Sequence, residues 1–363
     1  MRCQAENCHQ TITSARAVHI DATLTTMAPQ LPHLPRHHRP PRRHLPPRRP
    51  RPRSPHAMTA IEWTDRTWNP VTGCDRTSPG CDNCYALTMA RRLKAMGQPR
   101  YQNDGDPRTS GPGFKPTCHP DALEMPMRWR KPSMVFVNSM SDLFHVDVPQ
   151  EFIAQAFSVM EMTPQHTYQV LTKRAQRMAQ VMNDANTRAL AGAITNQRLG
   201  IDARDYVDLD SKDPLQSVDV RNLGRAIRTA RAAHGLSDHM PWPLPNMWLG
   251  VSVENDRYTF RADHLRVTPA VVRFLSCEPL LGSLPSLDLT GIDWVIVGAE
   301  SGHGARPMNN DWALEIIEKA DAAGCAVFVK QLYGGTHAIK DLSQFPLSNL
   351  RRREYPAVGG RAA

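Results

Sequence analysis

Long apolar runs are missing from this sequence. No stretch of the 363 residues approaches the roughly eighteen consecutive apolar residues that a spanning helix needs, so we expect no membrane span. The amino terminus also lacks the apolar segment that follows the basic start of a signal peptide. Walker loops, zinc-protease helices and ordered Ser-His-Asp sets are absent too, which argues against those hydrolase classes. We therefore expect a cytoplasmic protein with reduced thiols.

Excess positive charge is nearly absent once the first 57 residues are set aside. The formal net charge is +9, and residues 1–57 carry +8 of it through ten arginines against Glu6 and Asp21. The rest of the chain is close to neutral. Charge therefore neither indicates a nucleic-acid partner for the folded part nor excludes one.

Residues 1–57 also have almost no apolar periodicity. From Pro29 to Pro55 the chain is mostly proline, arginine and histidine, which bury too little apolar surface to offset the entropy of ordering. We predict a disordered tail. Two explanations stay open: a basic arm that binds nucleic acid, or a start codon assigned upstream of a natural start at Met58.

Short apolar runs bounded by turn residues recur along the remaining chain, as expected for strands buried on both faces. The runs are Met134–Val137, Tyr168–Leu171, Trp248–Val251, Val271–Leu275, Trp294–Val297 and Ala326–Val329. Helical patterns lie between them, one opening at Pro149 and one running from Asp311 to Gly324. With a further strand near Ile61–Trp63, the alternation predicts an α/β fold over residues 58–340. We expect a partial, open parallel β/α barrel of about six to seven βα units.

Two segments depart from this alternation. Residues 184–246 separate two strands by more than a loop and one helix require, and they contain one helical pattern between Val220 and Ala230. Their aspartates do not follow the spacing of a calcium-binding loop. We predict a solvated insertion here and a C-terminal tail over residues 341–363.

Three cysteines, Cys74, Cys81 and Cys84, lie in one loop with C-x6-C-x2-C spacing, and a helical pattern begins directly after the third. A helix N-terminus favours negative charge, so thiolates are favoured there. Three converging sulfurs predict a metal site. One option is a structural zinc with Cys118 or His119 as the fourth ligand. The other is a [4Fe-4S] cluster with one open iron.

The position of the cysteine loop favours the cluster. The loop follows the first predicted strand, and the active sites of β/α barrels lie at the carboxyl ends of the strands. Charged residues also follow the other predicted strands within a few positions. They are Asp142, Lys173, Glu254, Glu278, Glu300 and Lys330. A parallel barrel would bring all of them to the rim that carries the cysteines.

A cysteine loop in this position resembles that of the radical S-adenosylmethionine superfamily, although the commonest spacing there is C-x3-C-x2-C. The segment from Ile61 through Tyr85 more specifically resembles the "three-Cys-motif" proteins, a family associated with phages and mobile elements that has no settled reaction. The resemblance reaches Gly335 outside the 184–246 insertion. It is carried by Phe136–Phe144, Leu171–Arg174, Trp248–Asn255, Ser276–Leu280, Val297–Gly302 and Lys330–Leu332.

The resemblance implies a [4Fe-4S] cluster and S-adenosylmethionine as cofactors. Reductive cleavage of the bound S-adenosylmethionine would generate a 5′-deoxyadenosyl radical that acts on an unknown substrate. The partners implied are an electron donor such as a flavodoxin or ferredoxin and a protein encoded by a neighbouring gene. Cofactor contacts are expected from the segments after several strands. These contacts are Ser139, Ser141, Asp142, Glu254, Asn255 and Glu300.

A non-catalytic interpretation stays open beside this one. The barrel would then be a binding module, and a zinc ion or an iron–sulfur cluster would be a structural staple. A fourth protein ligand, Cys118 or His119, would distinguish the two because it would close the open iron. Cys277 likewise has two explanations, a second thiol for radical chemistry or a buried structural cysteine.

Overall fold

The computed structural model describes residues 61–206, 219–302, 304–335 and 338–357. The disordered tail predicted for residues 1–57 lies outside these ranges, as does the suggested start at Met58. Ten β-strands and eight α-helices occur within them.

The strands are numbered in chain order. They are β1 (Arg66–Trp68), β2 (Val71–Thr72), β3 (Thr117–Cys118), β4 (Met134–Val137), β5 (Thr167–Thr172), β6 (Met247–Ser252), β7 (Val272–Cys277), β8 (Trp294–Gly298), β9 (Ala326–Tyr333) and β10 (Ala338–Ile339). The helices are α1 (Tyr85–Ala95), α2 (Pro120–Leu123), α3 (Gln150–Met162), α4 (Ala175–Asn183), α5 (Ala185–Arg198), α6 (Val220–Ala233), α7 (Phe260–Arg266) and α8 (Asn310–Ala323).

The main sheet has eight strands in the order β1-β4-β5-β6-β7-β8-β9-β10. Every neighbouring pair from β1 to β9 is parallel, and β10 adds antiparallel to β9. Strands β2 and β3 form a separate antiparallel ribbon. The predicted α/β fold with a mostly parallel sheet is therefore confirmed. Because strand order follows chain order, right-handed crossovers place the connecting helices on one face.

The six apolar runs read from the sequence form β4 to β9. The helix expected at Pro149 begins at Gln150, and the one expected to stop at Gly324 ends there in a left-handed turn (φ 67°) that favours glycine. The strand predicted near Ile61–Trp63 was wrong: β1 lies at Arg66–Trp68. Trp63 instead buries its ring against Phe136, with the ring centroids 4.7 Å apart.

The two faces of the sheet bury different side chains. Alternate residues pack against the helices, while the opposite face carries an aromatic layer. The aromatic layer consists of Trp63, Phe136, Trp248, Phe274, Trp294 and Phe328 together with Val272 and Ile296.

The aromatic layer also records the curvature of the sheet. The ring centroids of Trp63, just before β1, and Trp294, in β8, lie 6.2 Å apart. In a flat sheet these strands would be separated by five strand spacings, or about 24 Å. The sheet is therefore strongly curved around its aromatic face.

The insertion predicted over residues 184–246 is not simply solvated. Its helix α5 packs on α3, where Thr195 donates a buried hydrogen bond to Ser158 at 3.0 Å. In α6, which matches the predicted helical pattern, Arg231 is 1% exposed and forms a buried ion pair with Glu161 of α3. The middle of the insertion, 207–218, lies outside the described residues.

The C-terminal segment is part of the fold up to residue 357, in contrast to the predicted tail from residue 341. Phe345 and Leu350 are fully buried in the helix-side core. The backbone of Val329 donates to the Arg352 carbonyl, and that of Glu354 donates to the Val327 carbonyl, each at 2.8 Å. The segment thus covers the outer edge of β9, which would otherwise expose unpaired backbone groups.

None of the helices within the described ranges combines the length and apolarity that crossing a bilayer requires.

Candidate functional site

A cavity of about 230 Å³ opens at the carboxyl ends of the parallel strands. All three cysteines of the loop line it, and so do residues that follow β4, β5, β7 and β8, the last residue of β6, and Lys330 within β9. The polar lining includes Asn138, Ser139, Ser141, Asp142, Lys173, Arg174, Ser252, Ser276, Glu278, Glu300 and Lys330. Trp63, Phe136 and Leu171 contribute apolar surface from the aromatic side. The shared rim expected from a parallel sheet is present for these residues.

The cysteine loop is held against the ends of several strands. Asn83 donates to a Glu300 carboxylate oxygen at 2.9 Å, and the Tyr85 hydroxyl donates to the Ser139 carbonyl. Gly80 lies so close to the sheet that an added Cβ would stand 3.2 Å from Cδ of Glu254 and 3.3 Å from Cε of Lys173. A side chain at position 80 would therefore require Glu254 or Lys173 to move by a few tenths of an ångström.

The thiols of Cys74 and Cys81 differ in their electrostatic surroundings. Burial raises the pKa of Cys74 to about 12, although the Arg174 guanidinium donates to its Sγ at 3.3 Å. Burial also acts to raise the pKa of Cys81, but Lys173 and hydrogen bonds from Thr77 outweigh it and leave that pKa below its ordinary value. Cys84 is the N-cap residue of α1, so its thiol lies at the positive end of that helix.

The two residues predicted as a fourth zinc ligand, Cys118 and His119, do not line the cavity. Cys118 packs against the helix-side core, and His119 Nε2 forms a 2.7 Å hydrogen bond with Thr72 Oγ1. A tetrahedral zinc with Zn–S bonds of about 2.3 Å needs sulfurs about 3.8 Å apart. Yet among the described residues only Asp75, His145 and Asp147 form a set of three or more such groups whose ligand atoms all lie within 4.8 Å of one another.

In the set of Asp75, His145 and Asp147, both ring nitrogens of the histidine already have hydrogen-bond partners without a metal. His145 Nε2 lies 3.0 Å from Asp75 Oδ2, and its Nδ1 accepts a hydrogen bond from the Asp147 backbone at 3.1 Å. Burial, with the nearby Arg174 charge, lowers the pKa of His145. The neutral ring therefore uses both nitrogens to tie the turn after β4 to the cysteine loop.

Ser139, Ser141 and Asp142 line the cavity, but their polar atoms serve local contacts. Ser139 Oγ donates to Asn69 Oδ1 at 3.2 Å, and Ser141 Oγ donates to the Val71 carbonyl at 2.7 Å.

The Asp142 carboxylate is saturated. It accepts hydrogen bonds from Thr172 Oγ1 at 2.8 Å, from the Phe144 backbone at 3.0 Å and from the Lys173 backbone at 3.2 Å. Arg174 Nη1 completes the set at 3.0 Å. Asp142 therefore joins the ends of β4 and β5.

Glu254 and Asn255 do not line the cavity. The Glu254 carboxylate is fully buried and pairs with Arg261 at 2.9 Å, while Asn255 accepts from the Arg257 backbone at 3.2 Å and caps a short 3₁₀ turn. Asn255 therefore acts on the loop after β6, whereas Glu254 also lies against Gly80 of the cysteine loop and keeps one buried carboxylate oxygen, Oε1, without a hydrogen-bond partner.

Glu300 does line the cavity. It forms an ion pair with Arg306, and it accepts the hydrogen bond from Asn83 described above. Burial raises its pKa, but these hydrogen bonds outweigh burial and lower it. The carboxylate therefore stays ionised and ties the cysteine loop to the end of β8.

Asn138 is a site residue that our sequence reasoning missed. It lies directly after β4 in a left-handed backbone conformation (φ 61°), and it is 3% exposed. Both its amide nitrogen and its amide oxygen are buried without a hydrogen-bond partner. Asparagine tolerates this backbone conformation, but its presence in the sequence gives no sign of it. A buried, unpaired amide at a cavity wall is suited to a polar ligand.

Cys277 lies away from the cavity. Its side chain is fully buried in the helix-side core, and burial raises its pKa well above the ordinary value. It is therefore a structural cysteine rather than a second thiol at the site.

The fold and cavity define an α/β protein with a cysteine-rich site at the carboxyl ends of a curved parallel sheet. The chain belongs to the family described as "Protein of unknown function (DUF5131)", which matches residues 58–356. The phage association and the three-Cys motif inferred from the sequence stay predictions.

Comparison with curated proteins finds no match. Among solved structures, a cysteine-to-serine mutant of spore photoproduct lyase is similar at 13% sequence identity, covering 82% of this chain and 71% of that chain. The TM-score is 0.27, which is too low to support an inference.

Proposed function

We propose that the cavity is the active site of a radical S-adenosylmethionine enzyme built on a partial β/α barrel. Cys74, Cys81 and Cys84 would hold a [4Fe-4S] cluster, and S-adenosylmethionine would occupy its open iron. The observation that supports this best is that three cysteines line one cavity, whose lining contains no fourth cysteine and no histidine among the described residues. The curvature of the sheet around the aromatic layer supports the barrel.

The residues around the cysteines fit such a group. A cluster bound by thiolates carries negative charge, and Lys173, Arg174 and the N-terminus of α1 supply positive charge beside it.

Asn138 fits the amino-acid end of S-adenosylmethionine. Asn138 lines the cavity, and its buried amide has one acceptor and two donors without partners among the described residues; an amino group beside a carboxylate needs both. Its place after β4 is where the resemblance locates the methionyl group. Ser139, Ser141, Asp142 and Glu300 shape the pocket around it, while Glu254 and Asn255 have no part in this proposal.

Lys173 offers a further contact for an anionic group. Its Nζ donates to Ser252 Oγ at 3.2 Å and forms no ion pair with a carboxylate of the described residues. Lys330 differs because it is paired with Glu278. When bound, the cluster and S-adenosylmethionine would together supply the electron transfer and the hydrogen-abstracting radical. The chain would hold them, orient them and keep water away with its aromatic floor.

Anaerobic reconstitution with iron and sulfide tests the proposal. We expect about four irons per chain and, with a reductant, cleavage of S-adenosylmethionine to methionine. A flavodoxin or ferredoxin would be the physiological reductant. Cys118→Ser is the matched control, because that thiol packs away from the cavity and should not be needed. One tightly bound zinc, or a full cluster that never cleaves S-adenosylmethionine, would contradict the proposal.

A further inference from the structure

Arg174 makes the one contact from a charged side chain to a cysteine sulfur among the described residues. Its Nη1 donates to Cys74 Sγ at 3.3 Å. We infer that Arg174 is a positioning residue that raises the reduction potential of the cluster through this hydrogen bond. The inference rests on the proposed function, since it concerns a cluster held by Cys74.

The guanidinium is fixed by two further groups, and the Arg174 backbone by a third. Nη1 also donates to Asp142 Oδ2 at 3.0 Å, and Nη2 donates to the Asp75 carbonyl at 3.1 Å. The Arg174 backbone donates to Thr172 Oγ1 at 2.8 Å. Side-chain exposure is 14% for Arg174 and 7% for Asp142, so water screens the charges weakly.

The sign of the effect follows from charge. Reduction adds an electron to the cluster, and a cation that donates to a ligating sulfur stabilises the reduced form more than the oxidised one. Asp142 partly neutralises that cation. Removing Arg174 should therefore lower the potential, whereas neutralising Asp142 should raise it. A purely structural clamp would not produce opposite shifts.

The experiment compares reconstituted proteins in a redox titration followed by electron paramagnetic resonance, with iron content measured in parallel. Arg174→Leu should favour the oxidised cluster about tenfold, a shift of about −59 mV for one electron. Arg174→Lys keeps the charge but loses the planar fork, so a smaller negative shift is expected. Asp142→Asn should shift the potential upward.

Arg177→Leu is the matched control. Arg177 lies in α4, the helix that Arg174 caps, and among the described residues it donates to the backbone carbonyls of His145 and Val148. Its loss removes one positive charge without removing a contact to sulfur. The ratio of oxidised to reduced cluster should therefore change by less than about twofold.

Three results would overturn the inference. Unchanged potentials in Arg174→Leu and Arg174→Lys with full iron would show that the contact does not tune the cluster. Loss of iron from both variants, with Arg177→Leu intact, would make Arg174 a structural clamp on the loop. Failure of the unmodified chain to take up iron would remove the proposed function and this inference together, whereas the first two results leave the proposed function standing.

Discussion

The face of the sheet that carries the aromatic layer differs between the amino ends and the carboxyl ends of the strands. Towards the amino ends of the strands, Trp294 packs against Trp63, Trp248 and Phe274 with ring centroids 5.7–6.2 Å apart. Towards the carboxyl ends, the same face carries hydroxyls, charges and an unpaired amide. At the amino end the side chains are apolar and pack against one another. At the carboxyl end the polar groups either form hydrogen-bond networks or lack a hydrogen-bond partner.

The two ends are built from the same strands, two residues apart. Phe136 belongs to the aromatic layer and Asn138 to the cavity. Phe274 is followed in the same way by Ser276 and then Glu278. Because side chains of one strand face the same side every second residue, a change from aromatic to polar along this period marks where the core stops and the site begins. The difference therefore separates stability from function, and substitutions can test that separation.

The largest expected effect is at the cysteine loop. Cys84→Ser should abolish cluster binding, because serine is a poor ligand for iron and two cysteines cannot hold the cluster. Iron and sulfide analysis after anaerobic reconstitution measures this, and thermal unfolding of the metal-free protein should be nearly unchanged. A variant that still binds about four irons would show that Cys84 is not a ligand.

At the aromatic end the effect should be on stability. Trp294→Ala should lower the free energy of unfolding by about 3–5 kcal/mol, since it removes a fully buried ring that contacts several others. Phe260→Ala is the control: this ring is 49% exposed, and its loss should change stability by about 0.5 kcal/mol or less. Urea denaturation measures both, and equal losses would contradict the assignment of the stabilising core to this layer.

Asn138→Gly should change stability and ligand affinity in opposite directions at one position. Glycine adopts the left-handed conformation freely and removes a buried unpaired amide, so unfolding should become harder by about 1 kcal/mol. Affinity of the reconstituted protein for S-adenosylmethionine should fall about tenfold, as for the loss of a hydrogen bond to a charged group. Calorimetry on the same samples would detect both, and unchanged affinity would remove Asn138 from the site.

The smallest expected effect is a pH dependence that comes from outside the cavity. Burial lowers the pKa values of His119 and His166, so the unfolded chain binds more protons than the folded one. Stability should therefore rise with pH through the window between the lowered folded values and the ordinary value of about 6.5, and it should be lost as pH falls through that window. Urea denaturation from pH 5 to 8 measures the slope.

The matched variant for this slope is His166→Asn, which should flatten it. A slope of the opposite sign would mean that the folded state binds the extra protons.

Much of the fold could be predicted because strands buried on both faces leave compact apolar runs. The end of α8 could be predicted because a glycine, Gly324, follows the helical pattern. In the structure this glycine adopts the left-handed conformation (φ 67°) that ends the helix. Strand β1 could not be placed, because it has three residues and two of them are only half-buried. The packing of α5 could not be predicted because the helix buries only three residues. They are Thr187, Ala191 and Thr195, which are too small and polar to form a clear apolar stripe.

Parts of the candidate site could likewise be predicted from the sequence, and other parts could not. Spacing identified the three cysteines, and the parallel sheet placed Asp142 and Glu300 at their cavity. The contact between Arg174 and Cys74 joins residues 100 positions apart and depends on where one guanidinium points, which no local pattern encodes. The burial of Glu254 against Arg261 depends likewise on the path of the loop after β6.

Iron-57 Mössbauer spectroscopy of the anaerobically reconstituted protein, recorded with and without S-adenosylmethionine, tests the central claim most directly. An open iron bound by no protein group should change its signal when S-adenosylmethionine is added, while the other three of about four irons keep theirs. A cluster whose irons all stay unchanged on addition, or a chain that takes up zinc and no iron, would contradict the account.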